Sequence, residues 1–345
     1  MKVLVTGAAG FIGSRCAEML AERGDEVIGI DNINDYYPQQ LKLWRLRRGG
    51  IKADAMPDFG VRMQSGSMRN YNFIRLDIED KEQLDALYAE ERFDRVIHLA
   101  AQAGVRYSIE NPYAYMRSNW MGFLNILECC RNFGTQHLVY ASSSSVYGLN
   151  EKAPFSEDDV VISPVSLYAA SKKSNELMAH AYCKLYGIPC TGLRFFTVYG
   201  PAGRPDMAPM LFTNAITEGK AIKVFNNGQM MRDFTYIDDI VSGTLMVLDK
   251  VPDAGRCAHN LPYKLYNIGL GSPVNLMDFI AEIELNLGRK AEKIFLPMQP
   301  GDVSRTWADT TKLVTEIGYK PKVTLKEGIR EFIEWFNRYN SIIKN

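Results

Sequence analysis

Tyr168 and Lys172 stand four positions apart in SPVSLYAASKKSNELMAHAYCKLYG, and on a helix that spacing makes them neighbours on one side. A phenol with a pKa of about 10 is almost wholly protonated at pH 7, but a nearby ammonium favours its anion. Such a pair can take a proton from a substrate hydroxyl. Taken alone, the spacing is common on helices as a packed aromatic beside a solvated lysine. A second set of candidates lies upstream in YASSSSVYG, residues 140–148, where four hydroxyls follow an apolar run. Ser and Gly also make plain turns, so the run is either a connection or a source of a reacting hydroxyl.

What decides between these readings is VLVTGAAGFIGSRCAEML, which sets Gly7, Gly10 and Gly13 where a β-like run gives way to a helical pattern. Glycine there permits a tight turn and lets a pyrophosphate approach bare backbone at a helix N-terminus. A second β-like run ends in Asp31, placed to bond a ribose 2′-hydroxyl and to repel a 2′-phosphate. A glycine triplet alone could be only a structural turn; strand, turn, helix, strand and acid together point to NAD, not NADP. Beside such a loop the Tyr168–Lys172 pair reads as catalytic. His98, inside the apolar RVIHLAA, reads as a core or backbone-tethered histidine and not as a base.

Positioning these groups requires a framework, and the first two-thirds of the chain supplies one. KVLVTG, a helix over 11–23, EVIGID, FIRLDI, a helix over 80–91, RVIHLAA, a helix over 112–133, HLVYASS, a helix over 164–186 and CTGLRFF alternate in the manner of a doubly wound parallel α/β sheet. Ser163-Pro164 opens the last of these helices and Gly187 stops it, with Leu167, Leu177, Met178, Ala181 and Leu185 as its inner face. From about residue 200, Pro/Gly-rich connections and shorter helices predict a smaller lobe. The expected division is 1–197 as the dinucleotide domain, a segment near 233–265 returning to it, and 198–345 as the lobe. Residues 47–70 have weak periodicity and read as a mobile excursion.

Composition excludes several classes. Among 345 residues, 46% hydrophobic, 40 basic and 40 acidic side chains cancel, which leaves no electrostatic footprint for nucleic acid or an anionic membrane. No signal-type segment opens the sequence and no eighteen-residue apolar run occurs, so a cytoplasmic protein is expected. The six cysteines lack CxxC spacing, which reads as reduced core thiols and no metal site.

The GxxGxxG spacing with Tyr168 and Lys172 resembles the extended short-chain dehydrogenase/reductase superfamily. The resemblance implies a Rossmann-type domain around NAD, with Gly7, Gly10, Phe11, Ile12, Gly13, Asp31, Asn32, Asp77, Ile78, Leu99, Ala100, Ala101, Asn119, Tyr168 and Lys172 as its contacts. It implies that the tyrosinate removes a hydroxyl proton as hydride leaves, and that the lysine also holds the nicotinamide ribose. It gives Ser143 the catalytic hydroxyl and Ser144 and Ser145 to the substrate. Dehydratases of this kind carry Asp-Glu at 144–145, and UDP-glucuronate decarboxylases carry a glutamate at 145, as general acid–base work requires. Serines there leave oxidation at C4 and reduction from the other face.

AAQAGVRYSIENP, YASSSSVYGLN, PVSLYAASKKSNELMAH, YGIPCTGLRFFTVYGPAGRPDMA, MRDFTYIDDI and QPGDV together resemble the UDP-glucuronate 4-epimerases over nearly the whole chain. That resemblance implies interconversion of UDP-glucuronate and UDP-galacturonate through a transient 4-keto sugar. Thr197, where galactose-type epimerases carry Asn, would face the carboxylate. Arg106, Arg204 and Arg232 would meet the diphosphate and uracil side, guanidinium forks suiting phosphate, and Asp302 the ribose. Two departures stand out: Gln299 replaces an arginine of galactose-type enzymes, and Arg305 replaces a small residue. Another UDP-sugar 4-epimerase, of galactose or N-acetylated type, and a UDP-glucuronate decarboxylase are the alternatives. An NAD-binding scaffold without turnover is the reading from another class; retention of Ser143, Tyr168 and Lys172 argues against it. Helices 112–133 and 164–186 resemble those that pair as a four-helix interface, which implies a homodimer.

Overall fold

Runs of buried β-branched and leucine side chains build the central sheet. β1 (Lys2–Thr6) has Val3, Leu4 and Val5 fully buried, the continuous apolar run that a parallel strand covered on both faces requires. The computed structural model describes residues 1–298 and 305–343. The chain forms two compact units: Met1–Asn150, Val160–Arg194 and Val241–Tyr266 make the first, and Glu151–Asp159, Phe195–Ile240 and Asn267–Asn345 the second.

After β1 the first unit continues through α1 (Phe11–Glu22), β2 (Glu26–Asp31), α2 (Gln39–Arg48), β3 (Arg62–Gln64), β4 (Tyr71–Arg75), α3 (Lys81–Glu91) and β5 (Arg95–His98). Two short helices, α4 (Tyr107–Glu110) and α5 (Pro112–Tyr115), lead through a π-helical stretch at Met116–Gly122 into α6 (Phe123–Phe133). β6 (His137–Ser143), a 3₁₀ turn at Ser144–Tyr147, α7 (Leu167–Tyr186) and β7 (Cys190–Phe195) follow.

The second unit holds β8 (Thr197–Tyr199), α8 (Ala208–Thr217), β9 (Ile222–Val224), β10 (Met231–Arg232) and β11 (Phe234–Tyr236). α9 (Ile237–Asp249) leads back into the first unit, which ends on β12 (Tyr263–Ile268). β13 (Val274–Asn275), α10 (Leu276–Leu287), β14 (Lys293–Phe295), α11 (Thr311–Ile317) and α12 (Leu325–Ile343) complete the second unit.

The large sheet runs β12-β7-β6-β5-β1-β2-β4-β3. β1 pairs in parallel with β2 and β5, β2 with β4 and β5 with β6, and β3 closes one edge antiparallel to β4. From β1 the chain winds outward through β2 and β4 and then returns to β1's other side as β5. That reversal marks the carboxyl ends of β1 and β5 as the ligand crevice of an open α/β sheet. Leu4, Ile28, Ile74, Leu84, Val96, Ile126 and Leu138 pack in the core beneath it. The second unit holds three two-stranded pairs, β8 with β11, β9 with β14 and β10 with β13, and between β10 and β11 it buries Asp233. Its carboxylate accepts from the amides of Leu270 (2.7 Å), Gly271 (3.0 Å) and Ala308 (3.2 Å). No described helix is long and apolar enough to cross a membrane.

Three sequence expectations are corrected. α7 starts at Leu167, not at Pro164, because Ser166 is its cap and accepts from Ala169 N at 3.1 Å. Its inner face is also different: Leu177 and Leu185 are 61% and 68% exposed, while Ala169, Ser171, Lys172, Asn175, Glu176, Ala179 and Cys183 are buried. Buried hydrogen-bonded polar groups take the place of an apolar stripe. The 47–70 segment is built structure: it contains β3, buried Ile51 and Ala53, and a turn in which Ser65 Oγ donates to Gly49 O and accepts from Met68 N.

Candidate active site

The glycine loop joins β1 to α1 and its geometry excludes side chains. A Cβ on Gly7, at φ +74°, would lie 2.8 Å from Ala100 N, and one on Gly13 would lie 2.1 Å from Gly7 O. Gly10 caps α1 with no side-chain acceptor, and no acid stands in the first turn. The first amides of this twelve-residue helix therefore suit an anionic diphosphate. Asp31 binds the loop from β2: one carboxylate oxygen accepts from Ala9 N (3.2 Å), the other from Ile33 N (2.7 Å). Asn32 Nδ2 donates to Asp77 Oδ2 at 2.9 Å, which joins the ends of β2 and β4. Phe11 and Ile78 are buried, Ile12 is half-buried, and Ile78 packs against Gly122 of the π-helical stretch. Loop and acid fit a dinucleotide.

Beyond β5, half-buried Leu99, Ala100 and Ala101 are held by a residue that sequence reasoning missed. Thr6 Oγ1 accepts from Leu99 N (3.2 Å) and Ala100 N (3.0 Å) and lies 2.8 Å from His98 Nδ1. With both acceptor positions used, the hydroxyl proton goes to Nδ1, so His98 is neutral. Burial first, and then the charge of Lys172, push its pKa down to about 3. His98 is a core residue tethered to a side chain. Asn119 is 1% exposed and spends its amide within the protein: it donates to Gln102 O (3.0 Å) and Ser171 Oγ (2.9 Å) and accepts from Gln102 N (2.8 Å). It ties the loop after β5 to α7.

α7 and the end of β6 carry the chemical groups. Lys172 is 3% exposed, its ammonium donates to Ala141 O at 2.9 Å, and burial lowers its pKa to about 8. That bond fixes α7 two residues before Ser143. Tyr168, one turn earlier and half-buried, sets its ring edge-on to Tyr115 at 6.1 Å. The four serines separate into different tasks. Ser142 is buried and donates to Glu176 Oε1 at 2.7 Å; Ser143 accepts from Ser145 N at 3.2 Å; Ser144 and Ser145 open the 3₁₀ turn, half-buried.

Beneath them lies a buried ion pair, also missed. Arg194 Nε and Nη2 donate to the two Glu176 oxygens at 2.8 and 2.9 Å, Lys173 Nζ adds 3.0 Å, and Arg194 Nη1 reaches Tyr147 OH at 3.1 Å. Burial alone would raise the Glu176 carboxyl, but the Arg194 fork carries it below its ordinary value. Arg194 in the wholly buried β7 was the available signal, since a buried charge demands a partner.

Arg106 is exposed at the head of α4 in the first unit. In the second unit, Thr197 opens β8, its amide donating to Asp233 O at 3.1 Å. Arg204 donates to both Asp206 oxygens, at 3.1 and 2.5 Å. Arg232 lies on β10 opposite Val274. Arg305 is exposed, in a bridge with Met231 beside it. Asp302 and Gln299 fall outside the described residues.

Residues 3–269 match the model of the NAD dependent epimerase/dehydratase family. The chain belongs to that family. Among its relatives, Protein CapI of Staphylococcus aureus is 49% identical across 98% of this chain and 99% of its own length. UDP-glucuronate 4-epimerase 4 of Arabidopsis thaliana is 46% identical across 98% of this chain and 76% of its own. The crystal structure of UDP-glucuronic acid 4-epimerase from Bacillus cereus, in complex with UDP-glucuronic acid and NAD, superposes with a TM-score of 0.85 at 35% identity. It covers 98% of this chain and 100% of that one. This epimerase/dehydratase family member thus retains the glycine loop, the Tyr168–Lys172 pair and a serine turn that is without a carboxylate at 144 and 145.

Proposed function

We propose that the chain is an NAD-dependent 4-epimerase that interconverts UDP-glucuronate and UDP-galacturonate. The observation that carries this reading is the neutral turn at Ser143–Ser145 next to a buried lysine and a tyrosine. The turn can hydrogen-bond a sugar oxygen but holds no acid or base of its own for eliminating water. The Arabidopsis and Bacillus relatives support the choice of uronate. NAD, when bound, supplies a hydride acceptor and donor for the sugar C4. Tyr168 accepts the hydroxyl proton, and Lys172, on the same face one turn on, favours the tyrosinate through its charge. Ser143 bonds the reacting oxygen. Thr197 holds the carboxylate, Arg106, Arg204 and Arg232 the diphosphate and uracil side, and Asp302 the ribose. The test is purified protein with UDP-glucuronate, followed by separation of product sugars. UDP-galacturonate without net NADH is the expected result; UDP-pentose, or steady NADH release in proportion to product, refutes the reading.

The protein acts as a homodimer through the helices at 112–133 and 167–186. Outward Met116, Met121, Leu177 and Leu185, each about half exposed or more, support this, since apolar rows on paired helices seek cover. A light-scattering mass near that of the 39.0 kDa chain at micromolar concentration would count against it. Six free thiols, five of them buried, support a reducing, cytoplasmic setting.

A further inference from the structure

Because β2 and β5 are the strands on either side of β1, the loops that follow them border the glycine loop. The first of these leaves Asp31 through Ile33, a fully buried β-branched residue at φ +52°. Such a backbone persists only where its surroundings over-determine it, and here they do. Asp31 accepts from Ile33 N, and Gln39 Nε2 donates to Ile33 O, both at 2.7 Å. Two buried cations from α2 complete the frame. Lys42 Nζ donates to Asn34 O (2.8 Å) and Oδ1 (2.6 Å). Arg45 Nη1 reaches both Tyr37 OH (2.6 Å) and Ala9 O of the glycine loop (3.1 Å).

The effect of this frame is to carry Tyr36 to the opposite loop. Its ring lies 4.8 Å from that of Tyr107, and its hydroxyl presses on Gly104, where a Cβ would be only 2.5 Å away. Tyr115 holds that far side, its hydroxyl donating to Ala103 O at 2.9 Å and also bonding Gly104 O. Its ring in turn meets Tyr168. The two loops that border the carboxyl end of β1 are thus fastened to each other by aromatic contact.

We propose that Tyr36 and Tyr107 form a clasp across the dinucleotide site, and that this clasp sets the rate at which NAD leaves. The inference rests on the function proposed above. A 4-epimerase whose cofactor departs midway cannot finish its turnover, so slow release serves that reaction directly. Tyr36 is a positioning residue: it holds the β2 loop closed and takes no part in the proton transfer.

The experiment follows release of radiolabelled NAD from loaded protein into excess unlabelled NAD, with the melting midpoint of ligand-free protein as a control. Loss of one aromatic contact and its area should make Tyr36→Ala release NAD about three- to tenfold faster, with the ligand-free midpoint close to the parent's. Tyr36→Phe keeps the ring and should stay near the parental rate. Because both rings act in one contact, the Tyr36→Ala/Tyr107→Ala double variant should release no faster than the quicker single variant. Parental release from Tyr36→Ala, or effects that multiply in the double variant, overturns the clasp alone. A parent that binds no NAD overturns both the clasp and the proposed function.

Discussion

Replacing Glu176 by Gln removes one charge from a site where water cannot compensate. Arg194 is 1% exposed and Glu176 2%, and the carboxylate accepts from Ser142, from Lys173 and twice from Arg194. Breaking a buried pair by removing one partner costs about 3–5 kcal/mol, because the remaining ion stays buried and uncompensated. The amide oxygen of Gln can still accept one guanidinium bond, which puts Glu176→Gln near the lower end, about 3 kcal/mol. Removing both partners is expected to cost less. In Glu176→Met/Arg194→Met no fully buried charge is left unpaired, because Lys173, which also loses Glu176, is 26% exposed and reaches water, and the main loss is the Ser142 hydroxyl, about 1–3 kcal/mol. Urea unfolding at pH 7, with midpoints compared at equal slope, should rank the double variant at or above Glu176→Gln. Turnover should not recover with stability. Ser142 and Tyr147 flank the turn that carries Ser143, and displacement of a reacting group by about 1 Å can cost a hundredfold. Glu176→Gln within about 1 kcal/mol of the parent, or a double variant with parental turnover, refutes the reasoning.

Tyr168→Phe should keep NAD binding and folding while losing about a hundredfold or more in turnover, measured by product separation; near-parental activity removes Tyr168 from the chemistry. Lys172 is depressed to about 8 in the fold against 10.5 in an unfolded chain, so between those pH values the unfolded chain binds more protons and stability rises with pH. The rise is about 3 kcal/mol at most. The difference in melting midpoint between parent and Lys172→Met should therefore change from pH 8 to 10, and turnover should fall above pH 8 as the ammonium is lost; a pH-independent difference contradicts this. Thr197→Val should lower UDP-glucuronate turnover by roughly ten- to a hundredfold through one lost hydrogen bond to a charged group, with a larger share of decarboxylated UDP-pentose. Unchanged products would return Thr197 to the role of a strand-end residue.

What the sequence made legible is what local pattern controls. The apolar runs of β1, β2 and β5 are buried along their length, and Gly10 and Gly13 are required by contacts with Gly7 inside the turn, so both could be read directly; the backbone of Leu99 and Ala100 that crowds Gly7 comes from after β5. The inner face of α7 could not. Ser171, Lys172, Asn175, Glu176, Ala179 and Cys183 recur at helical spacing and resemble a solvated face, because the partners that allow their burial, Ala141, Asn119 and Arg194, lie far away in sequence. The start of that helix turned on which of two Ser residues, 163 or 166, reaches an amide, a question of loop path. Residues 47–70 concealed a strand for a related reason: β3 has three residues and gains its definition from pairing with β4.

The return of the chain to the first unit has a consequence for how the protein is made. β7 is buried at every residue, yet its outer neighbour β12 is synthesised roughly seventy residues later. At about 5–20 residues per second, a nascent chain carries that apolar strand with an unpaired edge for roughly 4–14 s. An open edge of this kind is a template for pairing with other chains. A polypeptide released by the ribosome before residue 263 would contain the glycine loop, the serine turn and the Tyr168–Lys172 pair, and is still expected to aggregate.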